Sequence, residues 1–388
     1  MLRYYTAGES HGEALVAFLS GLPAGLAIDQ AFVDHELWRR QQGYGRGGRM
    51  KIEKDHAHLL SGVRDGRTIG SPISILLQNR DWQNWQESLP VAVGDPSKHR
   101  AVTSPRPGHA DLAGALKYNF PEARYVLERA SARESAARVA LGAIAKLFLR
   151  ELKIEVLSHV IAVGNASMGS TEVPWDRVLS LSSKSEVLLG CVDTDIERRM
   201  KDEVDRALKT GDSVGGVFEV VVHQAPPGLG SYAQWDERLD ALLAAAVMSL
   251  QAVKAVEVGT GVTAAASAGS AVHDEIGFDG SAGFTRASNN AGGIEGGVSN
   301  GQEIRVRGYL KPISTLRRPL KSVDFATRRP VSAAYERSDV CVVPAAGVAA
   351  EAMVALTIAR CCLEKFGGDS MGEVLRNFRG YLEQLRSY

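Results

Sequence analysis

The chain lacks an excess of charge of either sign: its 45 lysines and arginines are balanced by 45 aspartates and glutamates. A neutral molecule projects no long-range field, so neither nucleic acid nor a membrane surface is expected as a partner, and any positive potential must be local. Cysteine is scarce. Cys191, Cys341, Cys361 and Cys362 show no Cys-x-x-Cys spacing, and the adjacent pair suits a buried helix face, which excludes a disulfide framework and points to reduced thiols. His35, His56, His58, His99, His159, His223 and His273 show no metal-ligand spacing, so no metal site is expected. No uninterrupted apolar run approaches the ~20 residues of a membrane span, and Met1-Leu2-Arg3-Tyr4-Tyr5 has no apolar stretch of the secretory kind. A soluble, cytoplasmic protein is the expectation. Linker-like Gly/Ser tracts and fixed-period repeats are also missing, while the length allows one large domain or two or three.

What is present is a large apolar fraction, 45% of the chain, enough for a substantial core. Three segments read as helices apolar on most sides: Ser135 to Leu152, Asp236 to Val253 and Ala349 to Phe366. Helices of that kind are buried on most sides. Between them lie β-branched runs, Ile154–Val163, Val217–Val222 and Glu303–Leu310, whose alternation predicts strands with one wet face. Helices sandwiched between sheets satisfy both patterns, and the irregular chain order argues against a βαβ repeat. The polar stretch from Thr171 to Thr210 reads as a surface excursion.

Two histidines sit where packing alone would not ask for them, in Gly8-Glu9-Ser10-His11-Gly12 and in Arg106-Pro107-Gly108-His109-Ala110-Asp111. An imidazole titrates near ~6.5, which makes each a candidate proton donor. Arg39 to Arg49 holds four arginines, among glycines and without an acid, a pattern suited to anions. It follows a charged helix-like stretch, not an apolar strand, so a dinucleotide loop fails its context test. A flexible basic loop or an RGG-type nucleic-acid segment is the alternative there. Ser131 and Glu134 have capping-box spacing before the first apolar helix, and Arg129 and Arg133 would add charge to that helix start. Five glycines fall within 292–301, as though the backbone lay flush against a flat ligand. Lys311-Pro312-Ile313-Ser314-Thr315 offers a cation and two hydroxyls, a phosphate cradle or a solvated turn. Asp339 stands at the mouth of an apolar strand, Val340 to Pro344, as a cap or a base.

Taken together these segments resemble the chorismate synthase family across essentially the whole chain. The likeness is carried by Gly8–Gly12, Gly43-Tyr44-Gly45-Arg46-Gly47, Arg106–Asp111 and Arg129-Ala130-Ser131-Ala132-Arg133-Glu134. It continues through Gly211-Asp212-Ser213, Asn290-Ala291-Gly292-Gly293, Lys311-Pro312 and Arg337-Ser338-Asp339. Many members have Arg-His-Asp at the last of these, so a proton relay through a histidine there does not carry over.

The resemblance implies an α+β fold over residues 1–388 as a single domain, a β-α-β sandwich with long apolar helices between antiparallel sheets, assembled as a homotetramer. It implies 1,4-anti elimination of phosphate from 5-enolpyruvylshikimate-3-phosphate (EPSP), with reduced FMN and no net redox change. NADPH or a separate flavin reductase would supply the electrons. His11 would protonate the departing phosphate and His109 would hold the reduced flavin in its protonation state. Asp339, helped by Ser10, would take a proton from the flavin N5 edge. By family position the flavin site draws on Arg129, Ala130, Ser131, Gln251, Ala252, Gly296, Lys311, Pro312, Ile313, Ser314, Thr315 and Arg337. Arg40, Arg46, Arg49, Arg106 and Arg133 would bind substrate or NADPH. Two other readings compete: a flavoenzyme with net redox turnover, and a non-catalytic anion-binding module.

Overall fold

Two antiparallel sheets face each other across a layer of apolar helices. The structure, a computed structural model, describes residues 1–47, 54–169, 172–182, 187–280, 283–336 and 339–388. The first sheet orders its strands Arg3–Ala7, Ala14–Ser20, Ile73–Gln78 and His58–Leu59. Alternation sends Leu15, Ala17, Leu19, Ile73, Ile75 and Leu77 into the core and leaves Val16 and Phe18 outside. The second sheet runs Val253–Val258, Ile304–Leu310, Gly216–His223, Glu155–Val163 and Ala166–Ser167.

Six helices frame the core and the site: α1 (Gln30–Gln41), α2 (Asp111–Tyr118), α3 (Arg124–Ala130), α4 (Ser135–Glu151), α5 (Leu239–Met248) and α6 (Val343–Phe366). α4 packs on the first sheet, α6 on the second, and the two pack on each other, giving the expected sandwich. They approach so closely that a Cβ added to Gly142 of α4 would collide with Ala352 of α6. By length and composition α6 could cross a bilayer, but it is mostly buried in this layer, as a core helix is.

Charge is buried here as well. Arg39 of α1 donates to Glu351 of α6 through both terminal nitrogens, at 2.7 and 2.8 Å, and to Glu36 at 2.8 Å. Lys146 of α4 bonds Glu36 at 2.5 Å and also bonds Glu351. Glu351 accepts further from Ser158 N and Oγ on the second sheet. Burial opposes ionisation of Glu36 and Glu351, yet the adjacent Lys146 and Arg39 hold both carboxyls below their ordinary range.

The sequence reading needs five adjustments. Val217–Val222 and Ile304–Leu310, expected to keep one wet face, are buried on both, because Glu219 pairs there with Arg305 and Arg307. α5 is shorter than predicted, with Trp235–Glu237 forming a 3-10 turn ahead of it. Val340 to Pro344 is no strand: Val343 and Pro344 open α6, because proline's missing N–H costs nothing in a helix's first turn. Ser131 caps a 3-10 turn, Ala132–Glu134, instead of joining Glu134 in a capping box. Glu134's carboxylate is taken by Thr6, Arg138 and Gln251. The polar stretch between Thr171 and Thr210 holds two helices, Trp175–Ser182 and Thr194–Thr210, each with a buried apolar stripe.

Candidate active site

The His11 loop and the arginine segments meet where α1 ends, α4 begins and α6 begins. The Gly8–Gly12 loop joins the first two strands of the first sheet and docks on α3 and the turn after it. There Ser10 N donates to the Glu128 carbonyl at 3.0 Å, and Ser10 Oγ donates to Ser131 Oγ at 3.1 Å. The His11 backbone N–H donates to Glu128 Oε2 at 2.7 Å, and its Nδ1 lies 3.0 and 3.1 Å from the two carboxylate oxygens. The ring stacks on Trp85, centroids 4.1 Å apart, with Arg100 over the same indole at 4.4 Å. Burial opposes ionisation of Glu128, but hydrogen bonds from His11 and the charge of Arg124 hold its carboxyl below the ordinary value.

Beside this loop lies the arginine group. Arg133 Nε donates to Asn79 Oδ1 at 2.9 Å and Nη1 to Asp55 at 2.7 Å. Arg40 donates to Ser135 Oγ at 2.9 Å and to the Ala132 carbonyl at 3.1 Å, and lies 3.6 Å from Asp55. Asn79 also donates to the Glu9 and Gly12 carbonyls, at 3.1 and 2.8 Å, so one amide ties the His11 loop to Arg133. Arg46 Nε is 3.2 Å from Asp339, which accepts from Gly47 N at 2.5 Å. Burial pulls the Arg40 guanidinium down to about 10: Asp55 opposes the shift, and the like charges of Arg133 and Arg46 add to it. Three guanidiniums against Asp55 and Asp339 make the locally positive site that a neutral chain needs for an anion.

The His109 group forms the other end. His109 Nδ1 stands 2.5 Å from Asp111 Oδ1. Arg106 grips the same carboxylate through its backbone N (3.0 Å), Nε (2.8 Å) and Nη2 (3.0 Å), and donates to Thr315 Oγ1 at 2.8 Å. Most of Arg106's fork is therefore turned inward, toward Asp111 and Thr315. Burial works against an ionised Asp111, yet His109 and Arg106 hold it well below the usual carboxylate range. The backbone joins the two ends: Ala334 N donates to the Ser104 carbonyl, and Glu336 accepts from Arg124, which pairs with Glu128. Asp339 follows shortly on the same strand of chain.

Of the remaining residues in the sequence reading, Lys311 to Thr315 sit by the His109 loop. A Cβ on Gly108 would stand 3.7 Å from both Lys311 Nζ and Ser314 Cβ. Lys311 N donates to the Ala252 carbonyl, and the Ile313 carbonyl accepts from Ser213 Oγ at 2.6 Å, while Pro312 is exposed. Burial and Lys254 lower the Lys311 ammonium below its ordinary pKa. Ala252 adopts φ +69°, and its neighbour Gln251 donates to Glu134 at 3.2 Å. Arg129 spends its guanidinium on the Gly8 and Thr6 carbonyls, at 3.1 and 2.8 Å, and Ala130 ends α3 half-buried. Gly296 is not brought to this group: its carbonyl accepts from Arg238 at the N-terminal end of α5, whereas Gln251 follows the C-terminal end. Arg49, Arg337 and Ser338 lie outside the described residues.

Sequence reasoning did not single out Asp55, Asn79 or Trp85. Nor did it give a part to Glu128 or Asp111. Among the described residues no cluster of His, Cys, Asp and Glu suited to a metal is present.

The family model described as chorismate synthase matches residues 2–363. A chorismate synthase of Koribacter versatilis (strain Ellin345) is 71% identical over the full length of both chains, and one of Acidobacterium capsulatum is 69% identical over the same span. A crystal structure of chorismate synthase, 40% identical, superposes with a TM-score of 0.80, covering 100% of this chain and 99% of that one. With the sandwich, both histidine loops and the arginine group spanned by these matches, the chain belongs to the chorismate synthase family, carbon–oxygen lyases acting on phosphates.

Proposed function

We propose that this site eliminates phosphate from EPSP in the 1,4-anti sense to give chorismate, in the biosynthesis of aromatic amino acids. The observation that carries the reading is the close assembly of a histidine loop with Arg40, Arg46 and Arg133. A substrate with two carboxylates and a phosphate needs that density of guanidinium, and its leaving group needs an acid. In the reaction the C–O bond to phosphate breaks, a ring proton leaves, and a new double bond forms, with no net redox change. His11 supplies a proton to the departing phosphate, while Arg40, Arg46 and Arg133 hold the anionic groups. Asp339, braced by Arg46 and the Gly47 amide, is the group that accepts a proton beside them.

Reduced FMN is the cofactor, and it supplies transient electron density to the substrate when bound. The residues present fit it. Gly108 leaves bare backbone facing the Lys311 ammonium and Ser314, with His109 beside them, a donor set suited to an electron-rich ring edge or a phosphate. Lys311, Ser314, Thr315 and His109 would hold it there, with Gln251 and Ala252 flanking. Gly296, at the opposite end of α5 from Gln251, would join such a site from another copy of the chain; a homotetramer, in the cytoplasm, is part of this proposal.

Anaerobic turnover of EPSP with FMN tests the reading. Chorismate formed with dithionite but not with NADPH alone makes a separate flavin reductase the electron source. Chorismate formed with NADPH alone makes the chain its own reductase. No chorismate in either case returns the arginine group to a non-catalytic anion site, and flavin oxidised in step with turnover marks a net redox enzyme.

A further inference from the structure

We infer that two buried carboxylates, Glu128 and Asp111, act as positioning residues that hold His11 and His109 as Nδ1–H rings and make Nε2 the nitrogen through which each works. This rests on the preceding reading that the rings handle protons, whereas the tautomer follows from the contacts alone.

The His109 contact is the plainer case. Nδ1 and Asp111 Oδ1 at 2.5 Å are too close for two lone pairs, so one proton lies between them. Asp111 already accepts from Arg106 N, Nε and Nη2, donors that favour an unprotonated carboxylate. The proton therefore belongs to Nδ1. Arg106 Nη2 is also 3.0 Å from this Nδ1, but with Nδ1 protonated both groups donate in a fork to Oδ1. Glu128 repeats the arrangement at His11. It accepts from the His11 backbone N–H and pairs with Arg124 at 3.4 Å, and both of its oxygens face Nδ1. The two carboxylate side chains are 1% and 0% exposed, so water does not replace these donors.

Nδ1 and Nε2 lie on opposite sides of the imidazole, so a ring anchored through Nδ1 turns Nε2 away from its carboxylate. A proton taken up at Nε2 makes the imidazolium, and its release, from His11 to the departing phosphate, returns the Nδ1–H ring. An anchoring carboxylate is the means by which proteins fix a tautomer, and a carboxamide in its place presents N–H to Nδ1 and favours the wrong one. Each histidine thus belongs to a chain of arginine, carboxylate and ring: Arg124–Glu128–His11 and Arg106–Asp111–His109. Neither Glu128 nor Asp111 needs to touch substrate for this.

The test compares Glu128→Gln and Asp111→Asn with the unaltered full-length protein. Nitrogen-15 spectra of the ring nitrogens are expected to show Nδ1 protonated and Nε2 bare in the neutral rings, with the order reversed in each variant at its own histidine. Turnover of EPSP with reduced FMN is expected to fall roughly 10²–10⁴-fold in kcat with little change in KM. The double variant His109→Ala/Asp111→Asn should fall no further than His109→Ala. Unaltered rings that carry the proton on Nε2, or on both nitrogens throughout the range of stability, overturn the assignment. So does a carboxamide variant with undiminished kcat, or losses in kcat that add in the double variant. The spectra of the unaltered protein decide the tautomer even where a variant does not fold. Full turnover by His11→Ala or His109→Ala would instead defeat the underlying reading for that ring and leave its spectrum untouched.

Discussion

Arg133 and Asp55 are buried against each other at 2.7 Å, and Arg40 closes on the same carboxylate from 3.6 Å. One acid thus holds apart two guanidiniums that would otherwise repel within the site. Asp55→Asn leaves both cations buried and undercompensated, and we expect it to lose about 3–5 kcal/mol of stability. Inorganic phosphate should raise the melting temperature of the variant more than that of the parent, because the anion restores the missing charge. Thermal melts with and without phosphate check both statements.

Asn79 joins parts of the site that are far apart in the chain, accepting from Arg133 and donating to the Glu9 and Gly12 carbonyls. Asn79→Ala leaves the buried Arg133 Nε without this acceptor, at about 1–3 kcal/mol where water cannot reach it, and withdraws a donor from the part-buried Glu9 and Gly12 carbonyls. Hydrogen exchange should quicken at Ser10 to Gly12 while the amides of α4 stay protected. Unchanged exchange in that loop would show that other contacts hold it.

Acid should weaken the second sheet in a defined window. Burial disfavours an ionised Glu219, but His159, Arg307 and Arg305 pull its pKa down to about 2 in the fold. In the unfolded chain the same carboxyl titrates near ~4.3. Between these values the unfolded state binds more protons, so the contribution is whole above ~4.3 and disappears as pH falls toward 2. Denaturation of the parent and of Glu219→Gln from pH 7 to 3 should show a shallower acid slope in the variant. Equal slopes would mean that Glu219 takes no part.

Gly142→Ala sets two effects against each other. Alanine improves the intrinsic helix propensity of α4 by about 1 kcal/mol, but the new methyl meets Ala352 backbone and side chain on α6. Overpacking of a tight core costs about 1–3 kcal/mol, and neither neighbour is a flexible side-chain end that could swing aside. We expect a lower melting temperature. Pairing the change with Ala352→Gly should recover part of the loss.

The sandwich was legible because its signals are local. Long apolar helices such as α4 declare their burial within a single window of sequence, and β-branched runs such as Ile304–Leu310 declare a strand, though not that its expected wet face, with Arg305 and Arg307, is buried too. The boundaries at Val343 and Leu239 were less so. A run such as Val340 to Pro344 reads equally as a strand or as the entry to a buried helix until its neighbours are known. In the site, His11 and His109 stood out because glycine and proline left them unburied by pattern, whereas their partners did not. Glu128 has the spacing of an ordinary helical acid, Asn79 that of a strand terminator, and Asp55 that of a polar loop residue. Their parts depend on partners 117, 54 and 78 positions away, and one sequence carries no sign of such pairings.

The buried group of Glu36, Arg39, Lys146 and Glu351 has a consequence for synthesis of the chain. Arg39 and Glu351 are separated by 312 positions. At about 5–20 residues per second, a ribosome needs on the order of 15–60 s to make the second after the first. During that wait the nascent chain holds two basic groups and one acid destined for its interior, with no α6 to receive them. The first sheet and α4 therefore cannot close early into a finished core. Premature termination before α6 should leave an open, chaperone-dependent chain, not a smaller folded protein.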